Sequence, residues 1–135
     1  MTYSIQWSVG IKISGGPQLS ATKTIEVEAY DSIMVTIIGK TTPGGPDKDK
    51  EVEIQPGIAS GQVTFLAITS DSYDSTLTYK VNANSTPPIA LDQPHVLVGK
   101  GAVALLDPAP KKLFFSSEVN QDAVVQVLVG RDATP

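Results

Sequence analysis

The chain has 135 residues, of which 41% are hydrophobic and 18% are charged, a length that fits one domain and a composition that argues against disorder. It contains no cysteine, which excludes disulfide bonds, thiolate metal sites and cysteine nucleophiles. The formal net charge is −4 and only one of the ten cationic residues, Arg131, is an arginine, so the charge also argues against a nucleic-acid partner.

The first strand is predicted at the very start of the chain. From Tyr3 to Ile13 the odd positions are apolar and the even positions are polar or small, which is the two-residue period of a strand with one buried face. We therefore expect Tyr3 and Trp7, the only tryptophan, in the core. This segment lacks the basic start and unbroken apolar stretch of a signal peptide, and no segment reaches the roughly 18 apolar residues of a membrane helix. These features predict no membrane partner and a chain that is cytoplasmic when synthesised, or a component of a particle.

Two more strands are predicted before a long loop. Leu19 to Ala29 alternates in the same way except at Lys23, whose long side chain suits the edge of a sheet. Tyr30-Asp31-Ser32 has the composition of a turn, and the next strand is predicted from Ile33 to Ile38. Residues 39–50 are rich in turn formers and charge, which predicts an exposed loop.

The predicted central strand, residues 62–69, is apolar on both faces. Leu66 and Ile68 lie on one face and Phe65 on the other, and the last predicted strand, residues 123–130, has the same character. A sandwich strand usually buries one face and wets the other. We therefore expect both strands to need cover on two sides, from a second layer, a loop or another subunit.

The remaining predicted strands are short. They are Glu51–Gln55, Thr76–Ala83, His95–Val98, Ala102–Leu106 and Lys112–Ser116. The stretch at 102–106 fits a helical turn equally well, because alanine and leucine are poor strand markers. The short connection after the central strand predicts Thr76–Ala83 as its hairpin partner. About nine strands with no convincing amphipathic helix predict an all-β fold, an antiparallel β-sandwich of jelly-roll type, with immunoglobulin-like connectivity left open.

The candidates for chemistry are few. His95 is the only histidine and lies in no nucleophile motif, so we expect a partly exposed imidazole at a strand edge, no enzyme and no cofactor. Asp71 and Asp74 could offer oxygens to calcium at a loop tip, although aspartate and serine are also the commonest turn formers. Tyr73 lies between them and is expected to be exposed. A carbohydrate- or calcium-dependent ligand-binding module that uses Asp71, Tyr73 and Asp74 is therefore the alternative function.

The strongest functional signal is an excess of apolar side chains on the second face of several strands. The residues of this excess are Met34, Ile38, Leu66, Ile68, Val124 and Leu128. Burying a few hundred square ångströms of such surface at ~25 cal/mol/Å² contributes several kcal/mol before association costs are subtracted. Self-association is the simplest way to bury this surface. The alternative, which needs no partner, is a sheet that curls over a loop and buries the surface within one chain. The sequence thus favours a non-enzymatic homo-oligomeric subunit of a phage-like particle or another repetitive assembly.

Overall fold

The computed structural model describes residues 2–56 and 61–132, and within them the chain forms ten strands and one helical turn. The strands are β1 Tyr3–Lys12, β2 Gln18–Val27, β3 Ala29–Ile37, β4 Lys50–Glu53, β5 Val63–Ser70, β6 Thr78–Val81, β7 Ile89–Ala90, β8 His95–Val98, β9 Lys112–Ser116 and β10 Ala123–Arg131, and the helical turn α1 is Lys100–Val103. All strand pairs are antiparallel. The described residues include no helix that is long and apolar enough to cross a membrane.

Eight strands form two four-stranded sheets that pack face to face, with the orders β3-β10-β5-β8 and β4-β9-β6-β7. The first of these strands pairs with the last, and the pairing continues inward as β4 with β9, β5 with β8 and β6 with β7. This nested pairing wound into two sheets is a jelly roll. The predicted sandwich of jelly-roll type is therefore confirmed, and the immunoglobulin-like alternative is excluded.

The core lies between the two sheets. The inner face of the first sheet contributes Leu66 and Ile68 of β5 and alternate valines of β10, and the inner face of the second contributes Tyr79 and Phe115. Leu66 and Ile68 have no exposed surface within one chain. The expectation that these two residues need cover from another subunit is wrong, because the second sheet already covers them.

Two local predictions are also wrong, each because a tertiary contact outweighs local propensity. Residues 30–32 are not a turn but part of β3, where they form the ladder with β10, and the chain bends at Glu28 instead. The central strand and Thr76–Ala83 do not form a hairpin, because the connection between them crosses from one sheet to the other. Of the two alternatives left open for residues 102–106, the helical turn is the one observed, since α1 occupies residues 100–103 and a turn follows it.

The first two strands stand apart from the sandwich. Strands β1 and β2 form a two-stranded hairpin, and no other described strand pairs with either of them. Every residue from Ser8 to Thr24 is exposed. The prediction of Tyr3 and Trp7 as core residues is wrong, since Tyr3 is 40% exposed and Trp7 is only half-buried. We call this hairpin, residues 3–27, the arm.

Candidate functional site

The register of the arm places its apolar side chains on one face. Opposite residues of an antiparallel pair share a face, so each apolar residue of β1 meets its partner of β2 on the same side. The apolar face consists of Tyr3, Ile5, Trp7, Val9 and Ile11 from β1 and Leu19, Ala21, Lys23, Ile25 and Val27 from β2. Of these ten residues only Lys23, opposite Trp7, is charged. The other face consists of serine, threonine, glutamine, glycine, Lys12 and Glu26.

The apolar face is open to solvent along most of its length. Val9 is 37% exposed, Ile11 is 48% exposed and Leu19 is 62% exposed, and Ile13 beside the turn is 56% exposed. A two-stranded hairpin alone is marginally stable in water. A contiguous exposed apolar surface on a folded protein usually marks an interaction site. The arm is therefore the strongest candidate for a functional surface.

The arm is fixed to the sandwich only at its base. Ile5 and Val27 pack over Gly130 of β10 and beside Phe65 of β5, which is only 4% exposed. The ring of Tyr3 meets the ring of Tyr30 edge-on, with centroids 4.9 Å apart. Arm and sandwich thus share a small anchored base, from which the remainder of the arm projects.

The outer face of the β3–β10–β5–β8 sheet is the second apolar surface. Register places side chains from all four strands on it, and we define the outer face by Met34, Ala67, Val96, Val124 and Leu128. Met34 is 69% exposed and Val96 is 49% exposed, while the other three are half-buried. Three of the residues that the sequence singles out for self-association, Met34, Val124 and Leu128, therefore do lie together on a surface.

Ile38 does not belong to that surface. Its backbone N–H donates to Asp47 Oδ2 at 2.8 Å and its carbonyl accepts from the Asp47 N–H at 2.9 Å. Its side chain lies against Gly45. Ile38 is thus half-buried by the loop between β3 and β4, so its expected place in a contact between subunits is not supported.

A cleft crosses one end of the outer face. It has a volume of about 420 Å³ and is lined by Met34, Thr69, Ser70, Asp71, Val124 and Gln126. Among these lining residues Asp71 alone is charged. Its carboxylate Oδ1 accepts a hydrogen bond from the Val124 N–H at 2.9 Å, which holds the side chain at the rim of the sheet. The cleft therefore joins an apolar floor to one anchored negative charge.

The residues predicted as a ligand loop adopt ordinary turn geometry. Asp74 Oδ1 accepts hydrogen bonds from the N–H of Thr76 at 2.8 Å and from its hydroxyl at 2.7 Å. Both hydrogen bonds lower the pKa of Asp74 below its usual value, and the bond from the backbone N–H has the larger effect. Tyr73 is half-buried and packs against the core, so its predicted exposure is wrong. Asp71, Tyr73 and Asp74 are neighbours in one loop, and each makes a contact that stabilises the fold.

His95 lies on the edge strand β8 and is half-buried, as the sequence predicts. Its Nδ1 is 2.7 Å from Tyr79 Oη, which is a hydrogen-bond distance. Tyr79 belongs to the opposite sheet, so this bond joins the two layers. Burial raises the pKa of Tyr79 to about 12. A buried neutral tyrosine that bridges two sheets has a structural explanation and needs no catalytic one.

The polar surface of the second sheet offers another cleft, of about 450 Å³, with Lys48, Lys80, Asp47 and Glu118 in its lining. Lys80 Nζ is paired with Asp49 Oδ1 at 3.2 Å. Charges of both signs line this cleft.

Within residues 2–56 and 61–132, no three histidine or acidic side chains form a group that could hold a metal ion. No family model, curated protein or solved structure matches the chain. Function is therefore inferred from the chain's own surfaces, among which the arm has the longest run of exposed residues in the part of the chain that the structure describes.

Proposed function

We propose that the protein is a non-enzymatic structural subunit that self-associates through its arm, as a building block of a repetitive assembly such as a phage-like particle. The observation that carries this proposal is the apolar face of the arm, which a single chain leaves exposed from Ser8 to Thr24. The sandwich covers its own core with two complete sheets. An exposed apolar ribbon on such a fold is best explained by contact with another molecule.

The size of the apolar surface favours a symmetric contact. Full burial of a valine, leucine or isoleucine contributes ~1.5–3 kcal/mol, so covering the four exposed aliphatic side chains of the arm, each about half exposed, contributes ~4 kcal/mol. The outer face adds ~3 kcal/mol by the same reasoning. Association costs about 4–15 kcal/mol, and the stabilisation from one arm covering one outer face lies within that range. Two reciprocal contacts double the gain against one association cost, so a two-fold arrangement is favoured.

The fold is compatible with this function but does not select it. Jelly rolls serve as capsid domains, as lectins and as cupins, and function depends on the site rather than on the fold. The arm is the feature that favours an assembly role over the others.

The alternative is a carbohydrate- or calcium-dependent ligand-binding module that uses Asp71, Tyr73 and Asp74. It has weaker support, because Asp74 Oδ1 already accepts two hydrogen bonds and Tyr73 packs against the core. A glycan array with and without a chelator separates the two functions, since an assembly subunit gives no hits in either condition.

Size-exclusion chromatography with light scattering tests the proposal on the full chain. We expect a mass that is a multiple of 14.2 kDa at high micromolar concentration and that falls on dilution. A strict monomer of 14.2 kDa at the highest soluble concentration would contradict the proposal.

A further inference from the structure

We infer that the arm of one copy lies with its apolar face on the outer face of a second copy, whose own arm returns the contact. This inference rests on the proposed function, because it names the two surfaces that meet when the chain self-associates. Both surfaces are exposed on the single chain. The face of the arm is apolar except at Lys23, and the outer face combines its apolar side chains with the polar Ser32, Thr69 and Gln126.

The dimensions of the two surfaces agree. The free part of the arm comprises about six residues of each strand, which gives a length of ~20 Å at ~3.3 Å per residue. The outer face spans four strands, which gives a width of ~15–20 Å at ~4.8 Å between strands. An arm laid across a neighbouring sheet would therefore reach from one edge of it to the other.

The charges also agree. Lys23 is the one charged residue on the apolar face of the arm, and Asp71 is the one charged residue in the cleft of the outer face. Burying Lys23 in an apolar contact is unfavourable unless a negative partner is present. Asp71 is exposed and provides that partner.

Stacking of two arms on each other is the competing arrangement, and the position of Lys23 argues against it. Lys23 pairs with Trp7, halfway along the arm, so a two-fold stack of apolar faces would bring two lysines near each other. The apolar face has no acidic residue to neutralise them. Like charges brought together in a contact oppose association. The outer face, which offers an acid, is the better match.

The arm of the same chain covers only one end of the outer face, at Gly130 and beside Leu128. Its base packs over Gly130 through Ile5 and Val27, and its residues beyond Trp7 are all exposed as far as Thr24. The arm leaves its own sheet after the base, so the outer face near Met34 and Val96 stays open to a second copy.

Photo-crosslinking tests the contact directly. Because the chain has no cysteine, the Ile11→Cys variant can be labelled with benzophenone maleimide at that one site. It is then mixed with ¹⁵N-enriched wild-type chain, which carries no benzophenone. After illumination we expect crosslinks to ¹⁵N peptides from β3, β5, β8 or β10. The matched control is Thr22→Cys on the polar face of the arm, which should crosslink several-fold less.

The outcomes separate this inference from the proposed function. Crosslinks that map to residues 3–27 of the ¹⁵N copy would show stacked arms, and the inference would fail while self-association stood. A multimer by light scattering that gives no intermolecular crosslink from Ile11→Cys would likewise overturn the inference. A strict monomer would remove the proposed function and the inference together.

A charge exchange tests the Lys23–Asp71 pair. Lys23→Asp and Asp71→Lys should each weaken self-association about tenfold, because each leaves like charges facing one another. The double variant restores the pair in reverse and should recover most of the wild-type affinity. Circular dichroism checks that each variant is folded, since Asp71 also accepts a hydrogen bond from Val124. If folded single variants bind as the wild type does, or if the double variant is no tighter than either of them, the pairing is wrong.

Discussion

Ile5 of the arm lies directly over Gly130 of β10, so close that a Cβ atom on the glycine would stand 2.8 Å from Ile5 Cδ1. Val27 Cγ1 would be 2.9 Å from the same position. Glycine at this point of the outer face therefore creates the space into which the base of the arm packs. This close approach fixes the direction in which the arm leaves the sandwich.

Replacing this glycine should loosen the arm. Gly130→Ala places a methyl group against Ile5 and Val27, and overpacking of this kind costs ~1–3 kcal/mol of unfolding free energy. Urea denaturation measures the loss, and adding Ile5→Ala should recover part of it. The control is Gly10→Ala on the arm, where an added methyl meets nothing within 4 Å. Equal effects of Gly130→Ala and Gly10→Ala would mean that the base of the arm is not tightly packed.

A charge on the apolar face of the arm should prevent association without unfolding the protein. Ile11→Asp places a carboxylate on the face that we propose as buried, and the side chain is already 48% exposed in the single chain. We expect sedimentation equilibrium to show at least a tenfold weaker self-association for this variant. Thr22→Asp adds the same charge to the polar face of the same hairpin and should leave association unchanged. Identical behaviour of the two variants would argue against the apolar face.

The bond between Tyr79 and His95 should stabilise the packing of the two sheets. Tyr79→Phe removes the hydroxyl that lies 2.7 Å from His95 Nδ1 and should lower the unfolding free energy by ~1 kcal/mol. Chemical denaturation near neutral pH measures the difference. An unchanged midpoint would mean that water replaces the bond at no loss.

The same tyrosine predicts a loss of stability in alkali. Its pKa is raised by burial to about 12, whereas the unfolded chain ionises near 10.0. Below about pH 10 both states hold the proton and stability does not depend on it, and as pH rises through about 10 to 12 the unfolded state loses it first, so stability falls. Denaturation across this range should show a smaller alkaline loss for Tyr79→Phe than for the wild type. Parallel pH profiles for the two proteins would contradict the assignment.

Asn82 should stabilise the fold through both its backbone and its side chain. Its φ is 68°, and its Oδ1 accepts from the Lys111 N–H at 2.7 Å while its Nδ2 donates to the Ala109 carbonyl at 3.0 Å. Asn82→Gly keeps the left-handed conformation and loses only these bonds, at ~1–3 kcal/mol. Asn82→Ala loses the bonds and adds ~1 kcal/mol of backbone strain. Because glycine loses more backbone entropy on folding than alanine, an Asn82→Ala variant that is more stable than Asn82→Gly by thermal unfolding would show that the backbone there is unstrained.

The alternation of the sequence predicts where strands run but not what covers them. The bounds of β1 and β2 are predicted within a residue or two, because their apolar and polar positions alternate with a single interruption, at Lys23. The same alternation is typical of a strand whose apolar face packs on the core of its own chain and of a strand whose apolar face binds another molecule. Nothing in the local pattern of Ile11 or Leu19 distinguishes the two, so the sequence predicts the apolar face of the arm as part of the core.

The candidate site was only partly predictable because strand register is a tertiary property. Leu66 and Leu128 both belong to strands with two apolar faces, and the sequence alone treats them alike. In the fold Leu66 pairs with Val129 and points inward, whereas Leu128 pairs with Ala67 and points outward. A shift of one residue in the pairing would exchange those faces. Residue type thus indicates a surplus of apolar surface, and only register shows which part of it stays open.

Trp7 offers the most direct test of the central claim, because the only tryptophan of the chain lies half-buried on the apolar face of the arm. Its fluorescence emission can be followed in the unmodified protein during dilution from high micromolar to nanomolar concentration. If a second copy covers the arm, the emission is blue-shifted at high concentration and moves to the red on dilution, over the range in which light scattering shows dissociation. An emission maximum that stays constant while the mass falls would show that the arm is not part of the contact.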